Sequence, residues 1–307
     1  MKTRSVSLWA AVALMCCVIG AWAQSGDAAP AQTKGIDPAL LAKAKAGDAS
    51  AEYQVGWDYE DGKGVQQDYA QAAVWFRKAA EQGNFGGEAM LALLYRDGLG
   101  VKQDEAQAAV WFRKAADQDF PSAQLELGTL YHRGRGVEQD DAQAALWWLK
   151  AAKQGDARAQ FNLGVLYNDG HGVPQDFTQA AAWNRKAAEQ GNANAQYNLG
   201  LMYHLGHGVP QDSAQAAAWY RKAAEQGALE SQYNLALMYA KGEGVPQDYA
   251  EAYFWSELAA VGKVEGVEPD VVAHLRDQAA SFLTQAVLLQ TQERARNWFA
   301  AHQPKTQ

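Results

Sequence analysis

Six copies of Gly-x-Gly-Val-x-Gln-Asp, at 62–68, 98–104, 134–140, 170–176, 206–212 and 242–248, are the first candidates for chemistry in this 307-residue chain. Paired glycines can aim backbone N–H groups at a phosphate, but that use needs a third glycine and a preceding strand. Here a helical pattern precedes each pair, and an Asp stands where the anion would go. The segments read as turns. His171 and His207 occupy equivalent places, as do His132 and His204, but the members of each pair are 36 or 72 residues apart. Side chains from different layers do not easily share one ion at bonds of roughly 2 Å, so no metal is expected. The serines lack a Gly-x-Ser-x-Gly elbow. Glu60-Asp61 and Asp140-Asp141 fall at helix ends, where caps and the helix dipole account for them. No catalytic residue, cofactor or enzymatic activity is expected.

The spacing carries more than the residue types do. Trp75, Trp111, Trp147, Trp183, Trp219 and Trp255 recur every 36 residues, each with a Tyr sixteen residues upstream. A fixed period of that size marks a stacked array. In one unit, Ala159, Leu163, Gly164, Leu166 and Tyr167 recur at helical spacing and predict a helix over 159–168. Gly170 stops it, and Asp176 with Gln179 caps a second helix carrying Ala180, Trp183, Ala187 and Ala188. The fold class is therefore all-α: a solenoid of six helix-turn-helix units. Mid-helix Gly56, Gly128, Gly164 and Gly200, with Ala92 and Ala236, imply close helix approach. The Ala72-type residues of the partner helix are expected opposite them. The Trp is expected to fill the space between the two helices of its own unit.

The N-terminus reads as a cleaved export signal over 1–23. Lys2 and Arg4 precede an apolar core from Leu8 to Ile19, and Ala21-Trp22-Ala23 forms the cleavage site,. Cys16 and Cys17 leave with it. Of 27 basic residues Lys2 and Arg4 also leave, against 35 acidic, giving a net charge of about −10 and a poor match to nucleic acid or anionic lipid,. A flexible leader is expected over 24–36, a capping helix over 37–47 and the repeats over 48–262. A helical cap is expected over 263–307, with helices at 270–285 and 291–301. In that cap Leu275, Phe282, Leu283, Leu288, Leu289 and Trp298 would cover the last repeat. The expected location is the bacterial periplasm or the exterior, as a monomer without membrane insertion.

The unit Ala-Gln-Tyr-Asn-Leu-Gly-Leu-Met-Tyr followed by Gly-x-Gly-Val-Pro-Gln-Asp and Trp-Tyr-Arg-Lys-Ala-Ala-Glu-Gln-Gly, over Ala195–Gly227, resembles the Sel-one-like repeat family, relatives of tetratricopeptide arrays. The resemblance covers about three quarters of the mature chain. It implies a right-handed α/α superhelix acting as an adaptor for proteins or peptides, with exported bacterial members linked to envelope signalling and host interaction. One cysteine-rich branch is associated with β-lactamase or penicillin-binding activity. This chain departs from that branch, because it keeps no cysteine after processing.

A stripe at i, i+3, i+7 and i+10 on the first helices, away from the Gly/Tyr packing side, is the expected groove. Its candidate partner-binding residues are Tyr53, Trp57 and Glu60, then Leu93 and Arg96, Thr129 and His132, Phe161 and Asn168, Tyr197 and His204, and Tyr233. Aromatics among polar groups suit peptide recognition. Tyr53, Phe161, Tyr197 and Tyr233 equally suit a seam between layers. Trp148 reads as seam.

Overall fold

Each Gly-x-Gly-Val-x-Gln-Asp segment closes one helix and opens the next. Its first glycine is a left-handed C-cap, as at Gly62 (φ 70°) and Gly242 (φ 69°),. Its Gln folds back: Nε2 of Gln67, Gln103, Gln139, Gln175, Gln211 and Gln247 donates to the carbonyl seven residues earlier at 2.7–3.0 Å. Its Asp accepts from the next helix; Asp176 Oδ1 takes the Thr178 and Gln179 amides at 2.9 and 3.0 Å,. The first helices have caps of their own at Asp48, Asn84, Asp156 and Asn192.

The computed structural model describes residues 35–302. The expected signal and nearly all of the leader lie outside them. All regular structure among the described residues is helical. The N-terminal helix α1 spans Pro38–Lys45. First and second helices then alternate: α2 Ala49–Asp61, α3 Tyr69–Glu81, α4 Phe85–Asp97, α5 Glu105–Asp117, α6 Pro121–Arg133 and α7 Asp141–Lys153. The series continues with α8 Ala157–Asp169, α9 Phe177–Glu189, α10 Ala193–Leu205, α11 Ser213–Glu225, α12 Leu229–Lys241 and α13 Tyr249–Ala259. Two cap helices follow, α14 Pro269–Ser281 and α15 Gln285–His302, longer in the second case than the pattern predicted. The chain divides into two compact units, one reaching Lys114 and one starting at Ala115.

The mid-helix glycines meet another residue before the Ala72-type ones, although at Gly200 the Ala216 carbonyl is also in reach of a Cβ, at 3.3 Å. A Cβ on Gly56 would lie 2.5 Å from the Phe76 ring, and one on Gly128 would lie 2.5 Å from Trp148. Gly164 meets Asn184 and Gly200 meets Tyr220 in the same way. The opposing residue is therefore the one after each repeated Trp. Trp75 itself clusters with Val55 and Ala51 of α2 and with Ile36 and Ala44 of the preceding layer. Trp219 clusters with Ala187 and Ala188 of α9 and Ala195 and Leu199 of α10. The Trp thus packs on the first helix of its own unit, as expected, and on the preceding layer as well. A lysine three residues on covers its outer side: the Nζ of Lys78, Lys114, Lys150, Lys186 and Lys222 sit 3.8–4.2 Å from the ring centroids,.

Two further devices join layers. The second glycine of four turns, Gly100, Gly172, Gly208 and Gly244, lies on the start of the preceding second helix. An added Cβ would come within 2.1 Å of Tyr69 at Gly100, 2.2 Å of Asp141 at Gly172 and 1.9 Å of Phe177 at Gly208. In the second unit a buried glutamine ladder joins the other end of these helices to the next layer. Gln160, Gln196 and Gln232 donate at 3.1 Å to Ala152, Ala188 and Ala224 carbonyls of the layer before. Gln190 and Gln226 donate at 2.8 Å to the side chains of Gln160 and Gln196. The partner position for Gln232 is Gly262, and Gln232 Oε1 is buried without a hydrogen bond. Gln196→Leu keeps the volume but removes two hydrogen bonds between layers, the one to the Ala188 carbonyl and the one from Gln226. It is expected to cost about 1–3 kcal/mol in urea unfolding.

At the C-terminus α15 lies against α13. The Arg294 guanidinium sits 3.8 Å from the Phe254 ring centroid and pairs with Glu251, and Gln292 donates to the Tyr253 hydroxyl at 3.2 Å. Leu275 is buried, and Leu283, Leu288 and Trp298 pack on the same core. Phe282 and Leu289 do not; they are 58% and 52% exposed, and Phe282 stacks instead on Tyr249 at 4.2 Å. At the other end Gly35 donates to the Gly64 carbonyl at 2.8 Å and Ile36 is buried, so the last two residues of the expected flexible leader are held in place.

Candidate binding surface

The candidate residues lie beside the packing side, not away from it. In the first unit Tyr53, Trp57 and Phe76 form three mutually touching rings. Trp57 stands edge-on to Tyr53 (6.2 Å, 86°) and to Phe76 (6.2 Å, 84°), and Tyr53 and Phe76 are tilted at 5.8 Å. Gly86 of the next first helix lies against the Tyr53 ring, where a Cβ would approach to 2.9 Å. Tyr53 therefore fills the seam between α2 and α4 while staying half-exposed. Phe161 packs with Ala195 and Leu199 of the following layer. Tyr197 and Tyr233 pack beside Leu235 and Ala236. The seam description fits these four aromatics, each with part of its ring at the surface.

The remaining positions differ in how far they are committed internally. Leu93 is half-buried. Arg96 pairs with Asp97 through two bonds of 2.8 Å. Thr129 donates to the Leu125 carbonyl at 2.9 Å, which occupies its hydroxyl hydrogen. His132 Nδ1 lies 2.6 Å from Asp141 Oδ1, and its ring is 5.3 Å from that of Trp148. Asn168 donates to Asp169 at 2.8 Å. His204 Nδ1 lies 3.5 Å from Glu243. Trp148 is buried and donates Nε1–H to the Leu125 carbonyl at 3.1 Å.

Glu60 stands apart. It is half-buried, and its Oε2 is buried with no hydrogen-bond partner. Burial, with Asp61 adding repulsion, raises its pKa from 4.5 to about 7. Between those values the folded chain holds a proton that the unfolded chain has lost, so stability falls as pH rises through this window and levels off above it. Glu60→Gln is expected to match the parent near pH 4 and to exceed it by about 1–2 kcal/mol near pH 8, after discounting for partial exposure. Parallel thermal melts at the two pH values check this; an equal gap at both would refute it.

The residue after each Trp is buried behind these positions, as the seam reading of Trp148 anticipated. Its identity changes as Phe76, Phe112, Trp148, Asn184, Tyr220 and Ser256. Among the described residues no cluster of three or more His, Cys, Asp and Glu could hold a metal, and no helix is long and apolar enough to cross a membrane.

The Sel1 repeat profile matches residues 49–84, 87–120, 121–156, 157–192, 193–227 and 229–260. Among solved structures, the chain is similar to a protective antigen present in uropathogenic Escherichia coli strains displaying an SLR fold. Identity there is 39% with a TM-score of 0.72, over 79% of this chain and 56% of the other. It is also similar to a Sel1 repeat protein from Oxalobacter formigenes, at 30% identity and TM-score 0.66, over 72% of this chain and 90% of that one. A comparison with functionally curated proteins returned no match.

Proposed function

Because the chain belongs to the Sel1 repeat family, whose members commonly mediate protein–protein interaction, we propose that it is an exported adaptor binding a protein or peptide along its first helices. The observation that carries this reading is a contrast within the repeat. Trp, turn glycines and turn Gln-Asp are constant, whereas one half-buried position on the first helix reads Glu60, Arg96, His132, Asn168, His204 and Ala240. A scaffold that keeps its joints and varies one surface position suits recognition, since a few residues dominate binding energy. Export from the 1–23 signal into the periplasm or beyond belongs to the same proposal, as does a monomeric state. Capture from an envelope extract is expected to retain a specific partner, weakened about tenfold or more by Trp57→Ala or Arg96→Ala. No specific partner, or one indifferent to both changes, would sink the reading.

A further inference from the structure

The five Trp–Lys pairs show what this helix geometry does with a ring and a side chain three residues later. Each places the ammonium over the indole face at 3.8–4.2 Å. Trp57 repeats that spacing with a carboxyl in place of the ammonium, because Glu60 is its third residue on. The equivalent of Glu60 in the third repeat, His132, lies against the ring equivalent to Phe76, at 5.3 Å from Trp148. By repeat equivalence Glu60 takes the place beside Phe76 that His132 takes beside Trp148. No lysine or arginine among the described residues sits over Trp57 or pairs with Glu60. The neighbouring charge that bears on Glu60 is that of Asp61, of the same sign.

We infer that Tyr53, Trp57 and Glu60, backed by the buried Phe76 ring, form a site for one lysine side chain of the bound partner. Aromatic faces attract a cation, and an ammonium beside an acid that lacks a counter-ion favours the ionised form of that acid and pairs with it. Lysine is favoured over arginine by the shape of the acid. A guanidinium pairs best through both carboxylate oxygens, and Oε2 of Glu60 is buried. A compact ammonium can be served by one oxygen. The acidic balance of the chain, 35 acidic against 27 basic residues, favours the same occupant,.

This assignment rests on the protein-binding reading above, so its test isolates the pocket. Acetyl-Gly-Lys-Gly-amide is titrated into the full chain while the Trp57 indole N–H is followed by NMR, its resonance assigned with Trp57→Phe. A saturable shift is expected, at least about fivefold weaker for the norleucine and arginine peptides and lost in Glu60→Gln. Glu225→Gln, at an exposed acid on α11, is the control expected to bind as the parent does. No shift with the lysine peptide, or equal shifts with lysine and norleucine, or an unaffected Glu60→Gln overturns the pocket. Equal binding of the arginine peptide overturns the choice of lysine. If partner capture still depends on Arg96 in any of these cases, the adaptor reading survives without the pocket.

Discussion

Gly208→Ala is expected to split the unfolding of the second unit into two transitions, while Gly206→Ala, two residues away, leaves it single and costs about 1 kcal/mol. Both glycines have left-handed backbones, at φ 74° for Gly206 and 72° for Gly208. They differ in what a methyl would meet. At Gly206 the nearest atom is Gln211 Cβ at 3.3 Å, a side chain that can move by a few tenths of an ångström. At Gly208 it is the Phe177 carbonyl oxygen at 1.9 Å, on the first residue of α9. Relief there requires the turn to lift off the preceding layer. The loss should exceed about 3 kcal/mol, drawn mainly from the coupling between neighbouring repeats instead of the stability of either one. Urea denaturation followed by far-UV circular dichroism reads the outcome. A single transition with an unchanged m-value would show that the turn does not couple the layers.

Trp75→Ala is expected to cost about 3–5 kcal/mol and to free the N-terminal helix. Trp75 is 8% exposed and shares its cluster with Ile36, Ala44, Ala51 and Val55. Its removal opens a cavity where α1 meets α2. Hydrogen exchange should therefore show α1 amides losing protection while α8 to α13 keep theirs, because an array passes damage only to its neighbours. Lys78→Ala strips only the cation from the outer side of the ring and should cost about 0.5–1 kcal/mol. Uniform loss of protection across the chain after Trp75→Ala would refute a local role.

The array, its helices and its Asp caps were legible because each follows from a period and a local chemical preference. Packing partners were not. Periodicity says that Gly56 and Tyr59 share a helix surface, but only the helix-pair geometry says that Phe76, and not Ala72, stands opposite Gly56. The glutamine ladder escaped for a related reason. Gln160 and Gln196 are polar residues at a helix start, and a sequence reading assigns such residues to solvent unless a carbonyl of another layer is known to lie above them. In the cap, Phe282 and Leu289 satisfy an apolar pattern, yet Phe282 at the end of α14 only stacks on Tyr249 and Leu289 on α15 is turned outward. The candidate surface was legible as a set of positions. The split between seam rings such as Tyr53 and Phe161 and a free carboxyl at Glu60 needed the neighbouring layer.

The glycine contact has a consequence for how such a chain can change length over generations. Gly172, Gly208 and Gly244 meet the same place on the helix 31 residues earlier, at Asp141, Phe177 and Ser213. A duplicated 36-residue block inserted among them meets the same surfaces on both sides as its parent block does, so gene duplication there needs no compensating substitution. The last block is different: Gly262 removes the glutamine rung and Phe254 lies under Arg294. Copies should therefore accumulate in the interior of the array, leaving the sequence of its C-terminal end as the recognisable fixed stop.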